Sequence, residues 1–393
     1  MDHPLNIAHC VESYAPALGG MPEVVRQLSE RMVAMGHRVT VFTSTHPDRR
    51  YSELNGVRIV DFPLSGNAVN GIHGDTGPYI DALRNGGFDI LTFFAAQQWA
   101  TDAALPHLHS LPGRKVFVPT GFSLLHDSRY AAYYRRMPEH LRSMDLNIFL
   151  SHRYQDIELA KAHGLTNRAV VPNGAASEEF DAPMTYDLRR ANGLAANDRV
   201  ILHIGSYTGV KGHKEALRIF IAADTPDTVL VLVGNNIARF EQEFRKHRFH
   251  FLDRWRARLR RKRILFLELD RPATVDALRQ ADLFLFPSRV ECSPIVLFEA
   301  LAAGVPFLAT EAGNTAEIVE WTHGGWTMPG RTDARGWIHA DIATGAKQLQ
   351  GLLADDRMRR AAGSAGRKAW NERFTWQHIA ETYVDHYRRL THG

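Results

Sequence analysis

The sequence predicts an α/β protein of two doubly wound parallel-sheet domains. Short apolar runs alternate with amphipathic helical stretches through residues 7–171, and the same alternation restarts at Val200. Between the two halves, Pro172-Asn173-Gly174 and the polar stretch to about residue 197 supply turn and linker chemistry.

In the first half, residues 7–11 read as a strand, followed by Gly19-Gly20, Pro22 and an amphipathic helix ending near Gly36. Further strands are expected at residues 38–43, 57–60, 90–93, 115–118, 145–150 and 169–171. Gly19-Gly20, directly after a strand and before a helix, permits close backbone approach and aims amide groups at an anion. By itself this is a weak signal that a simple turn also explains. The second half places strands at 200–205, 229–233, 264–267, 283–286 and 307–310. Ile379, Tyr383 and Tyr387 share helical spacing in the closing segment. The expected organisation is a domain at 1–180, a domain at 181–375 and a closing helix at 376–393.

With 393 residues and 45% apolar content, the chain is long enough for two packed domains. Its two cysteines, Cys10 and Cys292, have no metal-like spacing and build no disulfide framework. Cys292 beside Glu291 is conceivable as a nucleophile, but no histidine lies near it in sequence, and a small loop residue is the simpler reading. Met1-Asp2-His3-Pro4 opens no signal-peptide pattern and no apolar run reaches membrane-spanning length, so a cytoplasmic location is expected.

The run Leu283-Phe284-Leu285-Phe286, bounded by Asp282 and Pro287, predicts a buried parallel strand. Ser293 followed by Pro294 predicts a helix start, with Ser293 as the cap and Pro294 at the first helical position; Gly304 and Pro306 end the helix. Free amides near Ile295 and Val296 would then face the sheet's carboxyl edge, where a helix dipole favours phosphate. Glu291 precedes this anion site and Glu299 lies inside the helix, with seven residues between them. Two hydroxyl-seeking carboxylates flanking an anion site suit a nucleotide sugar; two solvated glutamates on a surface helix are the bland alternative.

The segment from Glu291 to Glu299 resembles the E-x7-E signature of retaining glycosyltransferases of family 4, which have the GT-B fold of two Rossmann-like domains facing across a cleft. The resemblance implies that Glu291 holds sugar hydroxyls and Glu299 the ribose. Gly19-Gly20, the helix and Gly36-His37-Arg38-Val39-Thr40-Val41 are similar to the family's amino-terminal signature, in which the glycines face the donor diphosphate. Gly205-Ser206-Tyr207-Thr208-Gly209-Val210-Lys211-Gly212 resembles its diphosphate loop. Lys211 matches the family lysine, whereas Ser206 stands where arginine is usual, and Arg289 is a candidate compensating cation. Thr120 occupies the place of a family histidine near the sugar, with His126 and His73 as candidate substitutes, and Pro294 replaces a usual glycine. The likeness extends through Val171-Pro172-Asn173-Gly174 and Glu311-Ala312-Gly313-Asn314-Thr315-Ala316-Glu317-Ile318, and it implies that the closing helix crosses back to the amino-terminal domain.

No Asp-x-Asp pair occurs where a donor could sit and no His-Glu-x-x-His motif is present, so metal-independent transfer is expected, with the nucleoside-diphosphate sugar as co-substrate and no further cofactor. Residues 239–263 hold eleven Arg or Lys against three Asp or Glu, a balance of +8, which leaves −4 for the rest of a chain with net charge +4. Interleaved aromatics make this either a connecting helix with a solvated basic face or a surface for an anionic membrane; with no recognition motif beside it, nucleic acid is not an expected partner. The expectation is a retaining hexosyltransferase using a UDP sugar, with a GDP sugar second, on a saccharide or lipid-linked acceptor. A catalytically weak or inactive relative that binds nucleotide sugar is the alternative, and Ser206 and Thr120 favour it. A nucleotide-sugar epimerase of the same architecture fits the two glutamates less well.

Overall fold

A computed structural model of the protein describes residues 3–246 and 262–392. The chain forms two compact units, one of Met1–Asn173 with Trp376–Gly393 and one of Gly174–Thr375. The break falls before residue 180 because the segment after Gly174 already packs with the second unit. Ala175 N donates to Phe374 O at 3.0 Å, and Phe180, on the short helix Ser177–Asp181, is buried in that unit's core.

The first unit contains strands β1 (Asn6–Cys10), β2 (Arg38–Ser44), β3 (Glu53–Leu54), β4 (Val57–Phe62), β5 (Ile90–Phe94), β6 (Arg114–Val118), β7 (Leu146–Phe149) and β8 (Arg168–Val170). They form one sheet in the order β8-β7-β6-β5-β1-β2-β4-β3, parallel except for the edge pair β3-β4. Every residue of β5 is buried, as expected of a central parallel strand covered on both faces. The closing helix Trp376–His392 packs against the helix Gly20–Ala34, burying Ile379, Tyr383 and Tyr387. Tyr387 shares a 2.7 Å hydrogen bond with Thr92 Oγ1 on β5.

The second unit contains β9 (Arg199–Ile204), β10 (Thr228–Val233), β11 (Arg263–Leu267), β12 (Leu283–Phe286), β13 (Phe307–Thr310) and β14 (Gly325–Met328), all parallel, in the order β11-β10-β9-β12-β13-β14. β14 is not among the strands expected from the sequence. Gly325 pairs with Phe307 in the sheet, where a side chain would come within 2.6 Å of the Phe307 ring.

Most of the basic segment 239–263 lies outside the described residues; it begins in the helix Ile237–Lys246 and ends in β11. Among the described residues, no helix is long and apolar enough to cross a membrane.

Candidate functional site

In the second unit β9 pairs with β12, Ile201 beside Leu283 and Leu202 beside Phe284, while their sequence neighbours lie on opposite sides of the pair. This is a point where strand order reverses, and open α/β sheets bind ligands in the crevice at the carboxyl ends of such strands. The two loops that leave this point are residues 205–212, after β9, and 287–294, after β12.

The loops are fastened to each other. Arg289 N donates to Val210 O at 2.9 Å, and the Ser288 hydroxyl, whose proton goes to Glu291, lies 3.3 Å from the same oxygen. Gly212 has φ +77, and a side chain there would begin 1.9 Å from Pro287 O, so only glycine allows this approach. Lys211, just before it, places Nζ 2.7 Å from Glu291 Oε1, which also accepts from Ser288 Oγ at 2.7 Å. Glu291 is nearly buried and Lys211 about one-third exposed, with side-chain exposures of 9% and 32%. The sequence signals for Lys211 and Glu291, 80 residues apart, thus meet in one ion pair.

Glu299 lies on the helix Ile295–Ala302 and is 6% exposed. Its Oε1 is 2.6 Å from Arg271 Nη2. The same guanidinium reaches Glu179, with Nε to Oε1 at 3.0 Å and Nη2 to Oε2 at 2.5 Å. Sequence reasoning missed both Arg271 and Glu179. A signal for Arg271 was available: Asp270 and Pro272 mark a helix start immediately after β11, and hence the same sheet edge. Asp270 does cap that helix, accepting from Ala273 N at 2.9 Å.

The helix carrying Glu299 begins differently from the expected pattern. Pro294 is the cap residue rather than the first helical residue, and no side chain caps the helix. Ser293 is instead held under the neighbouring turn, its hydroxyl accepting from Asn314 Nδ2 at 3.0 Å while Asn314 N donates to Cys292 O at 2.8 Å. Ile295 and Val296 still open the helix, where backbone amides have no carbonyl four residues back. At the other end Gly304 N bonds Leu301 O and Val305 N bonds Ala300 O, both at 2.9 Å, the paired bonds of a glycine-closed helix.

Arg289, the candidate compensating cation, pairs with Glu215: Nη2 and Nε lie 2.5 and 3.1 Å from Glu215 Oε1. Ser206 is in the 205–212 loop, its carbonyl accepting from Thr208 N at 2.8 Å.

Gly19, Gly20, Thr120, His126 and His73 belong to the first unit. Gly19 follows β1, itself at the strand-order reversal between β2 and β5, and adopts φ +156, a conformation side chains disfavour; Gly20 begins the helix. Thr120 follows β6, and Thr120, Gly121 and Phe122 have φ of +60, +99 and +50 in succession. Such conformations cost about 1–3 kcal/mol each for side-chain-bearing residues and persist only when their surroundings hold them. Gly121 N donates to Asp156 Oδ2, and Gln155 Nε2 donates to the carbonyls of Gly121 and Phe122, all at 2.8 Å. His126 is exposed in the turn beyond, and His73 ends a short hairpin.

The family profile described as Glycosyltransferase Family 4 matches residues 18–179, and that described as Glycosyl transferases group 1 matches residues 185–369. The chain belongs to the family 4-type glycosyltransferases of the GT-B fold. An uncharacterised glycosyltransferase of Methanocaldococcus jannaschii is 22% identical to it over 98% of each chain. Among solved structures, a sucrose-phosphate synthase from Thermosynechococcus elongatus superposes with a TM-score of 0.76 at 21% identity, over 98% of this chain and 99% of that one. Anabaena HepE in complex with UDP superposes with a TM-score of 0.74 at 17% identity, over 97% and 99%. In this glycosyltransferase the strand-order reversal of the second unit therefore carries Lys211, Glu291 and Glu299 on three neighbouring elements.

Proposed function

We propose that this glycosyltransferase is a retaining enzyme that moves a hexosyl group from a UDP sugar to a saccharide or lipid-linked acceptor, using no metal. The observation that carries the reading is the Lys211–Glu291 ion pair at the strand-order reversal, beside a helix start and Glu299. In this assignment Glu299 holds the ribose, the amides of Ile295 and Val296 face the diphosphate, Lys211 neutralises the charge that develops on it, and Glu291 orients sugar hydroxyls. Gly19 and Gly20 would let backbone approach the donor, with Thr120 and His126 as candidate sugar or acceptor contacts. The acceptor oxygen attacks the anomeric carbon on the face the diphosphate leaves. The bond to the diphosphate oxygen breaks as the new glycosidic bond forms, and the acceptor proton passes to the departing diphosphate. Glu291 acts here as an orienting and electrostatic group and forms no covalent bond.

UDP is favoured because HepE, of the same fold, is known in complex with UDP and with UDP-glucose. The +8 balance of residues 239–263 supports contact with an anionic membrane surface and, through it, a lipid-linked acceptor. The test is a thermal-stabilisation screen with UDP, GDP and ADP, then their sugars, followed by NMR assignment of the product anomer with and without chelator. Retention of the donor's configuration, unaffected by chelator, is the expected result. A second reading, a nucleotide-sugar-binding module with little catalysis, draws on Ser206 at the usual arginine position. Tight binding with neither transfer nor donor hydrolysis would favour it.

A further inference from the structure

Behind the 205–212 loop lie two buried histidines, His203 at 0% and His213 at 2% exposure. Their rings meet edge to face with centroids 4.5 Å apart, among the rings of Tyr207, Phe240 and Phe286. His213 Nε2 is 3.0 Å from Gly205 O, and His203 Nδ1 is 2.9 Å from Leu285 O. A carbonyl only accepts, so these two nitrogens carry the protons and the other nitrogen of each ring presents a lone pair. Those two lone pairs, on His203 Nε2 and His213 Nδ1, have no hydrogen-bond partner among the described residues. Burial holds both imidazoles well below the usual histidine range, His213 at about 4, so both are neutral near pH 7.

Apolar side chains would fill this space without leaving buried nitrogens unpaired, so packing alone does not account for the pair. What His213 supplies that leucine would not is its bond to the carbonyl that starts the loop. A side chain on Gly205 would begin 3.1 Å from Lys211 Cβ, so the Gly205 backbone lies against the lysine stem. Because the ring is neutral, it holds the loop without adding a second charge behind Lys211.

We propose that His213 is a positioning residue for Lys211: its Nε2–H grips Gly205 O and fixes the loop in which the lysine meets the donor diphosphate. This rests on the assignment of Lys211 to that diphosphate.

The test compares His213→Leu, His213→Asn and His213→Gln with Lys211→Ala in the full chain. Affinity for UDP and for uridine is read by calorimetry, together with Tm and UDP-glucose turnover. Glutamine can reach Gly205 O, asparagine is too short, and leucine cannot donate. The leucine variant should stay folded and keep uridine affinity, while UDP affinity falls several-fold and turnover drops by about 10², the scale of a misplaced reacting group. Asparagine should share the loss and glutamine should recover most of it; if the leucine variant does not fold, this pair decides. Wild-type UDP affinity and turnover in His213→Asn, with Lys211→Ala impaired, would overturn the proposal. So would equal losses of uridine and UDP affinity, which mark a structural role. A Lys211→Ala enzyme with wild-type UDP affinity and turnover would instead remove the diphosphate assignment itself.

Discussion

Arg271 Nη2 lies 2.6 Å from Glu299 Oε1, and the guanidinium that makes this contact also reaches Glu179. Glu299 is therefore a nearly buried carboxylate held by a cation shared with a second carboxylate, at the end of the site assigned to the ribose. Two variants separate its binding role from its structural one. Glu299→Ala should weaken nucleoside diphosphate binding in a folded protein, read by calorimetry. Arg271→Ala leaves Glu299 without its charged partner and should destabilise the fold by about 1–3 kcal/mol in urea titration. Unchanged nucleotide affinity in Glu299→Ala would remove the ribose role.

Glu291 accepts from both Lys211 and Ser288, so a neutral amide of the same shape keeps the geometry and loses the charge. Glu291→Gln should lower turnover while leaving free-nucleotide affinity largely intact. Equal losses of both would assign Glu291 a structural role.

Lys211, paired with Glu291 as Arg289 is with Glu215, is the cation assigned to the leaving group, and Ser206 is uncharged. Lys211→Ala should cost about 10²–10³ in turnover, the scale of losing one preorganised stabiliser of developing charge. Ser206→Arg should raise turnover if the diphosphate is one cation short. Steady-state rates with a UDP sugar measure both.

Asp156, which grips Gly121, is buried, and desolvation raises its carboxyl to about 6 despite the amide donors around it. The folded state thus holds a proton that the unfolded chain releases at lower pH. Its contribution to stability falls as pH rises from about 4 to about 6 and is level above that, a change of up to about 3 kcal/mol. Asp156→Asn lacks this titration. The stability of the wild type relative to the variant should therefore shrink across that window in urea titrations, and parallel pH profiles would show that Asp156 is not the group responsible.

The placement of Lys211, Glu291 and Glu299 at one sheet edge of the second unit was legible because local patterns are strong there. An apolar strand followed by a helix start fixes an edge of the sheet, and Glu291, Glu299 and Lys211 are all read relative to such edges. Arg271 was missed because its partners, Glu179 and Glu299, are 92 and 28 residues distant and no local pattern joins them. The role of Ser293 was misread for a related reason. Its hydroxyl has a nearby candidate acceptor role at the helix start, but Asn314, 21 residues later, takes it. Arg289, read from sequence as a candidate compensating cation, pairs with Glu215, 74 residues earlier, a contact that no local pattern marks. The backbone conformation of Thr120 could not be foreseen either, since a β-branched residue at positive φ runs against its own preference.

The closing helix Trp376–His392 completes the first unit, and 202 residues of the second unit lie between it and the rest of that unit. During synthesis at roughly 5–20 residues per second, the first unit waits about 10–40 seconds for its last helix to be made. Until then the face of the helix Gly20–Ala34 that Ile379, Tyr383 and Tyr387 will cover stays open to water. The second unit, contiguous in the chain, can finish first.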